Sequence, residues 1–499
     1  MLPDPTKLTV STLDLPLTRK KLESLEHLVV VVPKTGRGIQ WKAIPQAEAL
    51  KKLERRNRAP GAIPSAQTRL GNKAQTLISL VRVDSSSSTF ELQTQARKAL
   101  AHVLGFNPAS LALLVSGYDD DRTNAVAGAF TIAAMAAITT MPSAKSKQPK
   151  AARLKRLHLV GAGEIDIERL RAEQRGNQLA RWLTSLPPNQ LDAAGYRKRV
   201  EALAKEQGWD MKFLNRSALQ KRGAGAFLAV ARADENAGIV HLRYRPGDKK
   251  AAPDLALVGK GICFDTGGTN VKPAQYMLNM HDDMQGSAVA LGTLLALSEL
   301  GSDMAVDCWL AITENLISRD SYKQNEIVTA LNGTTIEIMH TDAEGRMVLA
   351  DTLSLAAAEQ PAVMIDYATL TGSCVSALTT RYSGAFTNRD DLNPLLIDAG
   401  NASGERVWPF PMDDDFEESL RSNIADTLQC RIDGGGDHIL AARFLQKFCD
   451  DKPWIHFDLS AGRNKGGLGA IPTDVSGFGV RMTLNLLLEQ GLLEKVSQT

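Results

Sequence analysis

With 499 residues, the chain is too long for one ordinary hydrophobic core, and a length prior of roughly 150 residues per domain predicts two or three domains. Its content of 43% apolar and 23% charged residues is that of a soluble globular protein. The longest weakly polar run, residues 125–141, is mostly Ala, Gly and Thr and falls short of the roughly 20 strongly apolar residues that a membrane span needs. We therefore interpret that run as a buried helix.

The net charge of +2 is distributed unevenly along the chain. Residues 1–160 hold 24 Lys and Arg against 11 Asp and Glu, a net +13, which leaves −11 for residues 161–499. A basic segment of this kind can mark a face that binds nucleic acid or an acidic partner. Its basic clusters at 19–21 and 55–56 lack interleaved aromatic residues, so nucleic-acid binding is kept only as an alternative second role.

Cysteine usage and the start of the chain indicate a compartment. The five cysteines all lie in the second half, form no CxxC pair and are odd in number, a pattern typical of reduced core thiols in a cytosolic protein. The first seven residues lack the basic-then-apolar pattern of a secretory signal. We therefore expect a cytoplasmic protein with no membrane partner.

The first third of the chain alternates strand and helix patterns, which predicts an α/β domain. Short apolar runs typical of buried strands lie at 27–33, 76–83, 110–116 and 154–160. Helical patterns lie at 92–104 and 125–139, and the polar, proline-bearing segment 141–149 is predicted to be a loop.

A connecting helix follows this first domain. Gly161 and Gly163 are half of a dinucleotide-binding fingerprint, but no third glycine follows, so a tight turn is the better interpretation. From 164 onward the pattern is helical and rich in Arg and Glu until Pro187 and Pro188 end it. We predict a first domain at 1–163, a linker helix at 164–188 and a second domain at 189–499, in which a helix at 196–207 and a strand at 211–214 come first.

The second domain concentrates acids and lysines at the ends of apolar elements. The apolar strand 254–264 has Lys260 in its middle, where a charged amine is costly unless it is paired, bound to a metal or deprotonated. Asp265 and Lys272 follow this strand, and two acids, Asp282 and Asp283, precede an apolar helix at 287–300. Active sites of α/β sheets gather at the carboxyl ends of strands, so these loops can meet.

A second acidic motif lies at 340–346, between a strand at 335–339 and an apolar helical run. In extended backbone, residues i and i+2 face the same side, so Asp342 and Glu344 are expected to converge on one point. Two converging carboxylates require a metal, a proton or solvent. Alone, this motif would be a solvated acidic turn; its partners elsewhere in the chain make the metal site the stronger hypothesis.

Together these residues predict hydrolysis by a metal-activated water. Oxygen ligands with one amine and no Cys/His cluster favour Zn²⁺, Mn²⁺, Mg²⁺ or Co²⁺. Four or five carboxylates exceed what one ion needs, whereas two ions sharing bridging carboxylates would hold a bridging hydroxide between them. The second lysine and Arg346 are candidates to polarise an electrophile or stabilise an oxyanion. An amide and a phosphate ester both remain candidate substrates at this point.

Two long motifs resemble the cytosolic leucyl aminopeptidase family: residues 258–273 (VGKGICFDTGGTNVKP) and 341–351 (TDAEGRMVLAD). Supporting stretches lie in the same order, and the resemblance covers residues 186–499. It implies a smaller N-terminal α/β domain joined by a helix to a larger C-terminal α/β catalytic domain with a central mixed sheet. The implied activity is removal of the N-terminal amino acid from peptides with a free N-terminus, in a homohexamer.

The resemblance also implies residue roles. One metal would be held by Lys260, Asp265, Asp283 and Glu344, and the other by Asp265, Asp342 and Glu344. Lys272 would stabilise the oxyanion, and Arg346 would hold a bicarbonate ion that relays a proton. The pocket for the first side chain would be lined by Met280, Thr369 and Gly372. The alternative function is a catalytically altered homologue that acts as a DNA-binding or other binding protein.

The chain departs from the family pattern at several positions near these residues. His340 stands where the family usually has Asn and is a candidate extra ligand or a packing residue. Gln285 replaces a customary Gly, and Asp282 is interpreted as a helix-start acid. The segments 314–326 and 379–382 also differ, whereas His438, His456 and Cys263 are predicted to serve packing only.

Overall fold

The computed structural model describes residues 2–35, 38–57, 61–148 and 151–498. Pro149, which ends the predicted loop 141–149, lies outside these ranges. So do Met1, where the first predicted domain begins, and Thr499, where the second ends. The chain divides into two compact units. The smaller consists of Asp4–Gln174 and Lys465–Asp474, and the larger holds Arg175–Asn464 together with the described residues 2–3 and 475–498. The predicted boundaries at 163/164 and 188/189 stay predictions.

The smaller unit is a mixed sheet with helices. Its described strands are β1 (Thr9–Leu13), β2 (His27–Pro33), β3 (Ala66–Arg69), β4 (Leu77–Val83), β5 (Ser110–Val115) and β6 (Arg156–Val160). They lie in the order β1-β6-β5-β2-β4-β3, and every neighbouring pair is parallel except β3 with β4. The helices are α1 (Arg19–Glu23), α2 (Ala47–Arg56), α3 (Thr89–Leu104) and α4 (Asp120–Ile138), followed by α5 (Ile167–Thr184), within which the two units divide.

Both faces of this sheet are buried. Along β2, Val29 and Val31 belong to one apolar cluster, whereas Leu28, Val30 and Val32 belong to another. Successive side chains of a strand point to opposite faces, so β2 supplies two cores and is a continuous apolar run. The predicted helix at 125–139 is the largely buried α4. Among the described helices, none is both long and apolar enough to cross a membrane.

The larger unit has two sheets. Its described strands are β7 (Asp210–Asn215), β8 (Gly238–Tyr244), β9 (Leu255–Asp265), β10 (Val306–Asn315), β11 (Ile327–Thr329), β12 (Thr335–Glu337), β13 (Val363–Ala368), β14 (Ser383–Thr387), β15 (Val407–Pro409), β16 (Thr427–Leu428) and β17 (Trp454–Asp458). The main sheet has the order β15-β14-β17-β13-β9-β10-β8-β7, and β11-β12-β16 form a small second sheet. The predicted α/β class with a central mixed sheet is confirmed.

Helices pack around the main sheet of the larger unit. They are α6 (Ala193–Gln207), α7 (Arg216–Arg222), α8 (Gly225–Val230), α9 (Ala274–Met277), α10 (Gln285–Glu299), α11 (Glu344–Ala358), α12 (Gly372–Leu378), α13 (Asn393–Ser403), α14 (Asp437–Gln446), α15 (Val480–Leu488) and α16 (Leu492–Ser497). Two glycines bring α10 close to the sheet. A Cβ on Gly259 of β9 would lie 2.3 Å from Ser287 Cα, and a Cβ on Gly286 would lie 2.0 Å from the carbonyl oxygen of Tyr367 in β13.

Four central strands of the main sheet run parallel and end together. The strands β17, β13, β9 and β10 pair in parallel. Their last residues are Asp458, Ala368, Asp265 and Asn315, all polar except Ala368, which Thr369 follows. This is the edge at which α/β sheets bind ligands.

Candidate active site

The central strand β9 carries two predicted site residues, Lys260 and Asp265. Residues five positions apart face opposite sides of a regular strand. The pairing of β9 with β10, however, passes from Ile262 opposite Thr313 to Asp265 opposite Asn315, so β9 holds one extra residue. This β-bulge reverses the alternation of side chains. Lys260 and Asp265 therefore both reach the same cavity.

Lys260 is a buried cation surrounded by acids. Its Nζ lies 2.8 Å from Asp283 Oδ1 and 2.9 Å from Glu344 Oε1, and it donates to the carbonyl oxygen of Thr369 at 2.9 Å. Burial lowers the pKa of Lys260, but the charges of Asp283, Glu344 and Asp265 outweigh burial and raise the pKa above its ordinary value. The amine is therefore held protonated by these acids.

A tight turn after β9 brings Asp265 to Lys272. Asp265 Oδ1 accepts hydrogen bonds from the backbone N–H of Gly267 and from Asn315 Nδ2, both at 2.8 Å. Its Oδ2 lies 2.9 Å from Lys272 Nζ. Gly267 has φ +85°, and a Cβ there would lie 2.5 Å from the carbonyl oxygen of Asn270. Glycine is therefore required for this turn.

Asp342 and Glu344 converge as predicted, but the backbone conformation that brings them together differs from the predicted one. Asp342 lies in a turn and Glu344 is the first residue of α11, so the expected extended geometry is wrong. Asp342 Oδ1 lies 2.5 Å from Lys272 Nζ. Oxygen atoms of Asp265, Asp342 and Glu344 lie within 4.8 Å of one another. A turn followed at once by a helix start therefore directs both carboxylates to the end of β9.

Asp283 completes the acidic cluster from the other side. It lies between the 3₁₀ turn Met280–Asp282 and α10, and its Oδ1 accepts the hydroxyl hydrogen of Thr369 at 2.7 Å as well as a hydrogen from Lys260. Among the described residues, neither Asp283 Oδ2 nor Glu344 Oε2 has a hydrogen-bond partner. These side chains are 5% and 1% exposed, so each carries a buried oxygen with unused acceptor capacity.

The donor set fits divalent cations. Burial raises the pKa of Asp283 and of Glu344, and neighbouring carboxylates raise both further. Burial and then Asp265 likewise raise the pKa of Asp342. Four carboxylates against two ammonium groups leave excess negative charge in a buried place, which is the condition that a cation relieves. Oxygen ligands shared between neighbouring carboxylates suit two hard or borderline divalent ions.

Three residues that sequence reasoning did not single out hold this cluster in place. Asn315 donates to Asp265 and, at 3.0 Å, to the carbonyl oxygen of Thr341. The buried hydroxyl of Tyr322 donates to the same carbonyl at 2.7 Å, and Thr341 Oγ1 donates to the carbonyl oxygen of Gly267 at 2.6 Å. Thr341 directly precedes Asp342, so these bonds fix the turn that carries it. The available sequence signal was a tyrosine within a polar loop.

The cluster opens into a cavity of about 800 Å³. Met280, Thr369 and Gly372, the predicted pocket residues, all line it. The segment after β13 is held by the buried Asp458, whose carboxylate accepts from the Thr371 hydroxyl at 2.6 Å. The structure thus brings the predicted metal-site and pocket residues to one cavity.

Arg346 lies apart from the cavity lining. Its side chain is 2% exposed, Nη2 donates to Asp437 Oδ1 at 2.8 Å and Nη1 donates to the carbonyl oxygen of Gln429 at 3.2 Å. Nε has no hydrogen-bond partner among the described residues. Asp437 thus already pairs with one edge of the guanidinium. The predicted role of Arg346 in holding bicarbonate stays a prediction.

The departures from the family pattern have physical places in the structure. His340 lines the cavity, and its Nδ1 accepts the backbone N–H of Asp342 at 3.2 Å. Burial and then the charge of Lys272 lower the pKa of His340, which favours the neutral ring. Gln285 is buried as the first residue of α10 and donates to the carbonyl oxygen of Gly462 at 3.0 Å. Asp282 does not start α10 but pairs with Arg463.

The residues predicted to serve packing do so. His456 is buried with its Nδ1 2.7 Å from Asp366 Oδ1, and His438 lies 3.0 Å from the Ser373 hydroxyl. Cys263 is buried, and burial raises the pKa of its thiol well above the ordinary value. All five cysteines are free and buried, as predicted.

The chain belongs to the cytosol aminopeptidase family. The model of this family's catalytic domain, described as "Cytosol aminopeptidase family, catalytic domain", matches residues 178–484. A probable cytosol aminopeptidase of Acidovorax is 40% identical over 337 residues, which cover 67% of each chain. One from Methylibium petroleiphilum is 38% identical over 405 residues, 80% of this chain and 82% of that relative. The family resemblance of the two motifs is thus confirmed.

Solved structures extend the similarity to the whole chain. A tomato leucine aminopeptidase mutant superposes with a TM-score of 0.83 at 27% identity, over 98% of each chain. The bottromycin maturation enzyme BotP, solved in complex with Mn, superposes with a TM-score of 0.77 at 28% identity, over 93% of this chain and 98% of that one. The similarity therefore includes the smaller unit, for which the sequence resemblance was only one of length and pattern.

Proposed function

We propose that this protein is a metal-dependent aminopeptidase that removes the N-terminal residue of peptides. The observation that carries the proposal is the cluster of Asp265, Asp283, Asp342 and Glu344 around Lys260, all buried except the half-buried Asp342, in the lining of one cavity. Membership in the cytosol aminopeptidase family supports the reaction type. Because the similar bottromycin maturation enzyme was solved in complex with Mn, Mn²⁺ is a suitable first probe, with Zn²⁺, Mg²⁺ and Co²⁺ beside it.

The proposed ligand sets are those implied by the family. Lys260, Asp265, Asp283 and Glu344 would hold one ion, and Asp265, Asp342 and Glu344 the other. Two bound divalent ions would supply Lewis acidity and would lower the pKa of a bound water, so that hydroxide would form near neutral pH. Lys260 would have to release its proton to solvent to become a ligand, and Asp283 and Glu344, which now pair with its ammonium group, would then bind the ions instead.

The chain's own groups would orient the substrate and stabilise charge. The side chain of Lys272 is 15% exposed and lines the cavity beside Asp265 and Asp342, where its ammonium can face an oxyanion that develops on the scissile carbonyl. As the family resemblance implies, the free α-amine of the substrate would bind a metal, which would account for selection of the amino terminus. Met280, Thr369 and Gly372 would contact the first side chain, and Arg346 with bicarbonate would relay a proton.

The test is release of free amino acid from aminoacyl amides by protein loaded with Mn²⁺ or Zn²⁺. We expect hydrolysis of amides with a free α-amine and none of their N-acetylated forms, because acetylation removes the amine that would bind a metal. No release by any metal form would overturn the proposal. The homohexamer, the cytoplasmic location and nucleic-acid binding by the basic first domain remain separate predictions.

A further inference from the structure

Arg463 and Asp282 form an ion pair in the wall of the cavity. Arg463 Nε lies 2.7 Å from Asp282 Oδ2, and both residues line the cavity. The Asp282 side chain is 13% exposed and the Arg463 side chain 35%. The carboxylate is therefore the buried member of the pair, and the guanidinium is the member that the cavity can reach.

The guanidinium has donors to spare. Of its nitrogen atoms only Nε has a hydrogen-bond acceptor among the described residues, so Nη1 and Nη2 remain available. A guanidinium presents five N–H donors in a planar fork that matches a carboxylate. Arg463 can therefore donate hydrogen bonds to Asp282 and to a second carboxylate at the same time.

Contacts of Arg463 and of its neighbour Gly462 hold it beside Met280, a residue of the proposed pocket for the first side chain. Asp282 ends the 3₁₀ turn that Met280 begins and directly precedes Asp283. Gln285 donates to the carbonyl oxygen of Gly462 at 3.0 Å and so fixes the residue before Arg463. The position of the guanidinium is thus set from both sides.

Bound metals would remove the excess negative charge that opposes an anion in the cavity. Three cationic and six acidic side chains line it. Two divalent ions would add four positive charges and, with Lys260 deprotonated as a ligand, would cancel the excess negative charge. An apolar first side chain laid against the open Nη donors would desolvate them without giving them partners, which is unfavourable.

We propose that the cavity selects peptides whose first residue is glutamate or aspartate and that Arg463 determines this specificity. The proposal rests on the proposed aminopeptidase function. The side-chain carboxylate of the substrate would accept hydrogen bonds from Nη1 and Nη2 of Arg463, while its α-amine would lie at the proposed metal site. Glutamine has the same shape without the charge and is therefore the discriminating comparison.

The test is kcat/KM of the Mn²⁺-loaded protein for glutamyl, glutaminyl, aspartyl and leucyl amides. We expect the glutamyl amide to exceed the glutaminyl and leucyl amides by about tenfold or more, since a charge-assisted hydrogen bond is worth roughly 1.4 kcal/mol or more, a factor of ten. Arg463→Met should lower the ratio of glutamyl to glutaminyl kcat/KM by about 10- to 100-fold. Arg463→Lys should restore part of it, which separates loss of charge from loss of fold.

A matched control is Arg389→Met. Arg389 also pairs with an aspartate, Asp391 at 2.9 Å, but does not line the cavity. Its substitution should leave the ratio unchanged. Hydrolysis of the leucyl or glutaminyl amide as fast as the glutamyl amide, an unchanged ratio in Arg463→Met, or a preference for glutamate in the second position of dipeptides would each overturn the inference and leave the aminopeptidase function standing.

Binding distinguishes the two failures. If no amide is hydrolysed by any metal form, the proposed function is wrong. Calorimetric binding of free glutamate and free glutamine to the Mn²⁺-loaded protein then decides the inference alone. Tighter binding of glutamate that Arg463→Met abolishes supports the specificity, and equal binding of the two amino acids contradicts it.

Discussion

The lysines Lys260 and Lys272 set the charge balance of the site. Each lies between two acids: Lys260 between Asp283 and Glu344, and Lys272 between Asp265 and Asp342. The need for partners around Lys260 could be predicted from the sequence, because an ammonium inside an apolar strand is costly alone. The common face of Lys260 and Asp265 could not, since it depends on one extra residue in β9.

The two lysines differ in access, which predicts different roles. Lys272 is the more exposed, so Lys272→Met should lower kcat by about 100- to 1000-fold while the metal content stays near that of the wild type, because the proposed oxyanion donor is lost rather than a proposed ligand. Steady-state kinetics with parallel metal analysis measures both. Lys323→Met, a lysine outside the cavity, is the control. Wild-type kcat in the Lys272 variant would contradict the assignment.

His27 of the smaller unit predicts a pH dependence of stability. Its ring is buried and hydrogen-bonded to Ser79 at 2.8 Å, and burial, with the charges of His102 and Arg69, lowers its pKa to about 4. The unfolded chain takes up this proton near pH 6.5, so stability falls as the pH drops from 6.5 towards 4, by about 2 kcal/mol at pH 5. Urea unfolding should show that the free energy of unfolding falls less between pH 6.5 and pH 5 in His27→Leu than in the wild type. Equal losses would contradict the prediction.

At the scale of elements, apolar runs and helix boundaries were largely predictable. The strands at 110–116 and 211–214 and the helix at 196–207 are observed within a few residues of their predicted ends. The start of α11 was not, because Asp342 and Glu344 were expected in extended backbone where the strand 335–339 ends, with the helix only after them. Hydrogen bonds of Thr341 with Gly267 and Tyr322, distant in sequence, form the turn instead.

Close contact of α10 with the sheet predicts a severe effect of a small substitution. Gly286→Ala would place a methyl group 2.0 Å from the carbonyl oxygen of Tyr367, a backbone atom, so α10 or β13 would have to shift. The free energy of unfolding should fall by about 3 kcal/mol. Gly128→Ala in α4 is the control: nothing lies within 4 Å of the added methyl group. That change should raise stability by about 1 kcal/mol, since glycine is a poor helix former.

Thermal and urea unfolding of the two glycine variants measures this contrast. Equal stabilities of Gly286→Ala and wild type would contradict the packing of α10.

At the scale of the whole molecule, the division of the chain is discontinuous. The segment Lys465–Asp474 groups with Asp4–Gln174, and Arg97 Nε donates to the carbonyl oxygen of Gly469 at 2.9 Å. Neither composition nor periodicity indicates a contact between residues several hundred positions apart. The sequence could therefore predict only domains that are continuous along the chain. The fold class and the family needed only local patterns and motifs, and both are confirmed.

Metal binding should stabilise the larger unit, because the proposed ligands come from β9, the start of α11 with the turn before it, and the segment before α10. Ions that bind only the folded state add about 2.7 kcal/mol per site at a hundredfold excess over Kd. The melting temperature should therefore rise on addition of Mn²⁺ and fall with a chelator. Glu344→Gln, which removes a shared ligand charge, should lose most of the rise. An identical rise in that variant would place the ions elsewhere.

The most direct test of a two-metal aminopeptidase is to titrate metal-free protein with Mn²⁺ and measure hydrolysis of a glutamyl and a leucyl amide at each step. We predict that hydrolysis increases until two ions are bound per chain and then stays constant, and that N-acetylated amides are not cleaved at any step. Full hydrolysis without metal, or none at any metal content, would contradict the account.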